Sequence, residues 1–258
     1  MKAVTVMQLR TAYKICLIIS AILTAIYAFQ GFYPEFMAKF SNAIFPFLAG
    51  ASVISAFFSM RRYGNEKKRF SSVWLCFTLG MLLWFLGETG WTIYTFFLGI
   101  DVPYPSIADV FWLGGYIPLL IALYFYVKIF ASVLSKRIVY MVMAATAILS
   151  ILLAFALIIP IVGAEENAVA LILDLAYPLL DLALFSTALL GLIIFRKGTI
   201  GKSWLLINAG ILANVGADII FSYTTAQGTY YNGHPSELLF IWGYILFAVA
   251  FYIHMKEL

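Results

Sequence analysis

Charge is scarce in this chain. Of 258 residues, 16 are Lys or Arg and 12 are Asp or Glu, so 11% are charged while 64% are hydrophobic. Soluble domains run near a quarter charged, which excludes an ordinary soluble globular domain. Cysteine is also rare: Cys16 and Cys76 both fall near the predicted cytoplasmic ends of apolar runs, a poor setting for a disulfide or a metal site. The two histidines are similarly isolated, His234 in a connection and His254 near the end of the last run, so no metal site is expected. HExxH, GxSxG and Walker-type sequences are missing. The expectation is therefore a non-enzymatic protein with no cofactor. No basic stripe interleaved with aromatics remains to bind nucleic acid. Low-complexity segments and long polar connections are absent too, which leaves no room for a soluble domain.

What the chain does have is apolar length. Runs long enough to cross roughly 30 Å of hydrocarbon recur at about 12–29, 40–60, 71–98, 107–130, 138–162, 168–195, 203–225 and 238–255. They are continuous and not ten-residue alternations, so they predict helices and exclude an outer-membrane barrel. With strict alternation, Lys2, Arg10, Lys14, Arg61, Arg62, Lys67, Lys68, Arg69, Lys128, Lys136, Arg137, Arg196, Lys197, Lys202 and Lys256 fall on one side. Only Lys39 falls on the other. The enrichment of Lys and Arg in cytoplasmic loops places both termini inside. An odd number of spans would scramble that partition, and removing the first run as a signal peptide would have the same effect. The net charge of +4 reflects this topology and contact with anionic lipid.

A repeat runs through the sequence. Gly87, Tyr94, Asp109 and Tyr116 recur as Gly216, Tyr223, Glu237 and Tyr244, each set reading as a helical hairpin. A fainter echo links Phe45–Pro46 to Tyr177–Pro178. Four helices per half is an even number, so the halves share one membrane orientation, related by an axis along the membrane normal. The expected fold is an all-α polytopic membrane bundle of eight transmembrane helices. It forms one integral membrane domain with pseudo-repeats at about 1–130 and 131–258.

The acids are where chemistry is expected. Glu66 and Glu257 are assigned to the cytoplasmic side, and Glu35, Asp101, Glu165 and Glu166 to outer connections. The other six, Glu88, Asp109, Asp174, Asp181, Asp218 and Glu237, lie inside spans or at their outer rims. Ionisable groups in a membrane are costly and face a bundle interior, a cavity or a partner. At a rise of about 1.5 Å per residue, Glu88 lies near mid-membrane and Asp174 and Asp218 roughly 10 Å in. No Lys or Arg is placed deep enough to neutralise them, so they are protonated, hydrated or hold a cation. Asp174, Tyr177–Pro178 and Asp181 share one helix face, and Asn214 and Asp218 are i, i+4 neighbours. Asp109 and Glu237 each follow a Pro-Ser near a helix start and read mainly as caps. The unrepeated acids Glu88, Asp174, Asp181 and Asp218 divide between interhelical hydrogen bonding and a ligand- or proton-linked role.

Pro46, Pro118, Pro160 and Pro178 fall in or near the ends of spans, where each removes a helical hydrogen bond and invites a kink. Either they shape packing or, in the case of Pro178, a freed carbonyl lines a polar cavity. Gly114–Gly115 and Gly243 permit close helix approach. Aromatics make up 17% of the chain and gather at outer helix ends. They form an interfacial belt or the wall of a small-molecule pocket. On the pocket reading, the ligand-binding candidates are Glu88, Asp174, Asp181, Asp218, Trp91, Tyr94, Tyr116, Tyr177, Asn214, Tyr223, Trp242 and Tyr244.

The segments PYPSIADVFWLGGYIPLL, LDLAYPLLDLALF, NVGADIIFSYTTAQGTYY and PSELLFIWGYILFAVAFY resemble the N-terminal multi-helix membrane region found ahead of GGDEF/EAL and histidine-kinase output domains in prokaryotic signalling proteins. The resemblance covers roughly residues 70–255. It implies an eight-helix membrane-input module, and it supplies no catalytic residues to transfer. The family pattern continues into a linker and output domain, whereas this sequence ends at Leu258. The expectation is either action through a separate cytoplasmic partner, a kinase or a cyclase, or a free-standing or truncated membrane module. Membrane lipids and a second copy of the chain complete the expected partners. Together these features predict a cell-membrane sensor that binds a small or lipidic ligand, or a proton, from the outer face. A small transporter or channel using the intramembrane carboxylates is the alternative.

Overall fold

A computed structural model of the chain describes residues 2–63, 68–130, 132, 134–162, 167–195 and 201–257. Glu66, Lys67, Glu165, Glu166, Arg196 and Lys197, assigned above to connections, lie outside the described residues. The described chain is helical: α1 (Lys2–Ala28), α2 (Pro34–Tyr63), α3 (Lys68–Thr92), α4 (Ile107–Ile129), α5 (Lys136–Leu153), α6 (Ile159–Val162), α7 (Ala168–Phe195), α8 (Lys202–Ala226) and α9 (Glu237–Glu257). Eight stretches are long and apolar enough to cross a membrane, α5 and α6 joining as Lys136–Val162. The protein is a polytopic helical bundle. In lipid a helix satisfies its own backbone, which is why a chain this apolar takes no other form.

Two of these helices widen into π turns, at Ile93–Leu98 and Ala154–Ile158. The second has a local cause in Pro160. Proline has no N–H for the Ala156 carbonyl, and its ring crowds that carbonyl, so the turn before it opens. The other prolines leave their helices continuous. Pro46 frees the Asn42 carbonyl, and the Thr92 hydroxyl of α3 donates to it at 2.6 Å. That bond turns a helical defect into an interhelical tie.

Packing follows a two-fold pattern. The α3–α4 and α8–α9 hairpins are the closest pairs; α2 packs on α3 as α7 packs on α8, and α2 packs on α9 as α7 packs on α4. Exchanging α2, α3 and α4 with α7, α8 and α9 leaves the pattern unchanged. The outermost spans break it, since α1 packs on α9 while α5 packs on α7. Each hairpin closes on a glycine pair. A Cβ at Gly115 would lie 3.2 Å from the Gly80 carbonyl oxygen, and one at Gly243 would lie 3.2 Å from the Gly210 carbonyl oxygen. Only glycine lets the backbones approach this closely.

These contacts also correct the repeat register. Gly80 corresponds to Gly210 at a separation of 130, whereas Gly87 and Gly216 are 129 apart. Gly87 and Gly216 are therefore not equivalent: a Cβ at Gly87 would collide with the Trp112 ring, while Gly216 has room, 3.8 Å from Leu239. Tyr94 lies in the Ile93–Leu98 π turn, whose extra residue accounts for the slip to 129 at Tyr94 and Tyr223.

The candidate site: an acid and tyrosine cavity on the pseudo-two-fold axis

A cavity of about 640 Å³ occupies the half of the bundle opposite the basic connections. Five helices present helical stripes to it: Trp84, Glu88 and Trp91 from α3; Asp109, Trp112 and Tyr116 from α4; Asp174, Tyr177 and Pro178 from α7; Asn214, Asp218 and Phe221 from α8; Glu237, Phe240 and Tyr244 from α9. The i, i+3/4, i+7 spacing is what one face of a helix offers to an interior. Asn42 and Phe45 of α2 complete the ring.

The lining obeys the same two-fold exchange. Trp84, Glu88 and Trp91 correspond to Asn214, Asp218 and Phe221 at a separation of 130. Asp109, Trp112 and Tyr116 correspond to Glu237, Phe240 and Tyr244 at 128, and Asn42 and Phe45 correspond to Asp174 and Tyr177 at 132. Glu88 and Asp218 were read from the sequence as unrepeated acids. The structure makes them equivalents, and the one-residue slip hid the relationship.

Each of the six membrane acids lies within hydrogen-bond distance of a tyrosine hydroxyl. Tyr244 donates to Glu88 at 2.7 Å. Tyr116 donates to Asp181 at 2.7 Å and lies 3.2 Å from Asp218. Tyr177 donates to Asp109 at 2.9 Å, and Tyr104 donates to Asp174 at 2.5 Å. Glu237 accepts from Tyr27 at 2.6 Å and from Tyr230 at 2.8 Å. A phenol hydroxyl donates one strong bond without adding charge, which suits a carboxyl group held away from cations. Tyr230 lies in the connection before α9. Burial and the Glu237 carboxylate push its hydroxyl above the ordinary tyrosine range.

The capping role expected of Asp109 appears in the geometry, while Glu237 lies in the first turn of α9 and ties down the connection before it. The Ser106 amide donates to Asp109 Oδ2 at 2.7 Å while Ser106 Oγ accepts from the Ala108 amide at 3.2 Å. The Gly233 amide donates to Glu237 Oε1 at 2.8 Å. Both acids also line the cavity, so each joins the start of its helix to the wall.

Of the twelve sequence candidates, Glu88, Asp174, Asp218, Trp91, Tyr116, Tyr177, Asn214 and Tyr244 line the cavity. Asp181 sits behind the wall, 2% exposed, and reaches it through Tyr116. Three candidates lie elsewhere. Trp242 is two residues, or about 200° of helix, from Tyr244, and its indole donates to Thr24 of α1 at 3.2 Å. Tyr223 is five residues from Asp218 and 46% exposed. Tyr94 falls in the π turn, off the α3 stripe. Tyr27, Tyr104, Tyr230, Trp84 and Trp112 are not among the twelve, although Tyr104, Tyr230 and Trp112 belong to the aromatics at outer helix ends. Trp84 and Trp112 carry a readable signal, since each continues a stripe of already suspected residues at i, i+3 or i+4.

Toward the basic end the bundle is closed by rings. Trp74 stacks on His254 at 4.2 Å, Trp204 lies 5.2 Å from Trp74, and Tyr126 stacks on Trp204. All four are buried. The His254 Nδ1 and Ser203 Oγ are 3.1 Å apart within this layer. Among the described residues, no three His, Cys, Asp or Glu side chains are placed to hold a metal ion. Comparison with family models, with curated proteins and with solved structures finds no match for this chain.

Proposed function

We propose that the chain is a membrane-embedded input module. It takes a small or lipidic ligand from the outer face and reports its presence to a cytoplasmic partner such as a kinase or cyclase. The observation that carries this reading is a cavity of about 640 Å³ whose lining stops at Trp84, Tyr116, Asn214 and Tyr244, with the buried rings of Trp74, Trp204 and His254 packed between it and the basic end. That volume is typical of a small-molecule site, with mostly apolar walls and a few convergent polar groups. The enrichment of Lys and Arg makes the basic end cytoplasmic, so the cavity faces outward with both termini inside. Occupancy would alter how α2, α3 and α4 clasp α7, α8 and α9. The last turns of α9, which carry His254 and Lys256, would pass that change on.

A small transporter is the second reading, favoured by one observation. The cavity lies where the two repeated halves meet, which is where repeat-built transporters bind. Proteoliposome flux separates the two, with wild type compared against Glu88→Gln and Asp218→Asn. The input-module reading expects ligand-dependent thermal stabilisation without flux. Solute flux that depends on these acids would overturn it.

A further inference from the structure

The hydrogen-bond inventory of the cavity is one-sided. The hydroxyls of Tyr104, Tyr116, Tyr177, Tyr230 and Tyr244 already donate to carboxyl groups. The Trp91 indole donates to Asn42 Oδ1 at 2.8 Å, and the Trp84 indole donates to the Trp112 carbonyl at 3.2 Å. These donors are engaged, and the remaining lining hydroxyls of Ser222 and Thr225 are outnumbered by carboxylate and amide acceptors. Asn214 is the clearest case. It is 2% exposed and lines the cavity, and its Nδ2 donates to the Gly210 carbonyl at 2.9 Å. That bond sets the amide orientation, and Asn214 Oδ1 accepts no hydrogen bond from the described residues. That oxygen is open to the cavity and not sealed within protein, so a donor brought by a ligand can reach it. Asp218 lies one helical turn further along the same stripe, and among the described residues its hydrogen-bond contact is the 3.2 Å one from Tyr116.

The two-fold exchange also sorts the walls. Where α3 presents Trp84 and Trp91, α8 presents Asn214 and Phe221, and Asn42 of α2 is replaced by Asp174 of α7. The indoles gather on one side, with Trp112 added from α4, while acids line both: Glu88 and Asp109 beside the indoles, and Asp174, Asp218 and Glu237 opposite, where Asn214 adds an amide. Among the described lining residues there is no Lys, Arg or His.

We infer that the cavity takes a primary organic ammonium with an apolar body, the nitrogen placed between Asn214 Oδ1 and the Asp218 carboxylate and the body laid against Trp84, Trp91 and Trp112. This inference rests on the binding reading above and adds the ligand class. An ammonium brings three donors and a positive charge, and the described lining residues supply acids without a cation to pair with them. Indole faces attract cations as well as apolar groups. A carboxylate ligand would meet acids without a counter-charge, and a neutral alcohol would bring a single donor.

The test uses the full chain in lipid nanodiscs and three probes of one shape: 2-phenylethylamine, 2-phenylethanol and 3-phenylpropionate, read by calorimetry at neutral pH. The amine is expected to bind about 10-fold or more tightly than either analogue, the range of a hydrogen bond to a charged group. Asp218→Asn and Asn214→Leu should each weaken the amine about 10-fold and leave 2-phenylethanol within about 2-fold. Because either variant could fail to fold, the probe series on wild type decides by itself. If the alcohol or the carboxylate binds as tightly as the amine, the ammonium inference falls while the binding module stands. If none of the three binds, the inference falls as well, and stabilisation by an unbiased lipid and metabolite screen judges the binding module separately.

Discussion

Tyr244 of the second half donates to Glu88 of the first across 2.7 Å, and the two-fold mate of that contact joins Tyr116 to Asp218. Each half thus supplies the tyrosine that serves the other half's acid. The crossed pairs bridge the halves at the cavity wall, so ligand contact and half-to-half packing share the same side chains.

Tyr116→Phe should destabilise the protein more than Tyr244→Phe. The first removes the donor between Asp181 and Asp218, and the second removes one bond to Glu88. Leaving a buried polar partner unmade costs about 1–3 kcal/mol. Thermal unfolding in nanodiscs should rank the two. A double-mutant cycle of Tyr244→Phe with Glu88→Gln should show coupling of about 0.5–3 kcal/mol, as contacting residues do. Additive effects would mean that the contact carries no energy.

Gly115→Ala should lower stability by about 1–3 kcal/mol, because the new methyl meets the Trp84 ring and the Gly80 carbonyl. Gly243→Ala should do the same against Asn214 and the Gly210 carbonyl. Gly114→Ala is the control, since the nearest atom there, on Leu83, is 3.8 Å away. Equal melting temperatures for Gly114→Ala and Gly115→Ala would contradict the close approach of the α3–α4 hairpin.

Trp204→Ala should cost about 3–5 kcal/mol, the usual loss for a buried tryptophan. It removes the ring between Trp74 and Tyr126. The predicted readout is a lower melting temperature together with solute leak into proteoliposomes, because this buried aromatic layer packs between the cavity and the basic end. A destabilised but tight variant would place the seal elsewhere.

Tyr230 predicts an alkaline sensitivity. Burial and Glu237 raise its folded pKa above that of the unfolded chain, near 10. Its contribution is complete below about pH 10 and is lost as pH rises, since the unfolded chain releases the proton first. The fall in melting temperature between pH 9 and 11 should therefore be smaller in Tyr230→Phe than in wild type.

Much of the site could be read from residue types and spacing. The spacing of Asn214 and Asp218, and of Asp174 and Asp181, already placed pairs of polar groups on single helix faces. Trp242 and Tyr223 show the limit of that reading. Being aromatic and near a helix end does not say which way a side chain points, and the helix turns about 100° per residue. Tyr27 was invisible for a different reason. It is 210 residues from Glu237, and nothing local marks which distant helix α1 packs against.

The sequence alone determined that this is a helical membrane bundle of eight spans. A chain with so little charge and so many long apolar runs must satisfy its backbone within each segment. It also determined which acids would be stranded among apolar residues. Only the tertiary structure decided that Glu88 and Asp218 are equivalents, that every membrane acid meets a tyrosine, and that these pairs enclose a cavity. Those relations depend on helix register and on which helices pack together. Register shifts by one residue at a π turn without leaving a mark in composition, and packing across the halves is chosen by contacts far apart in the chain.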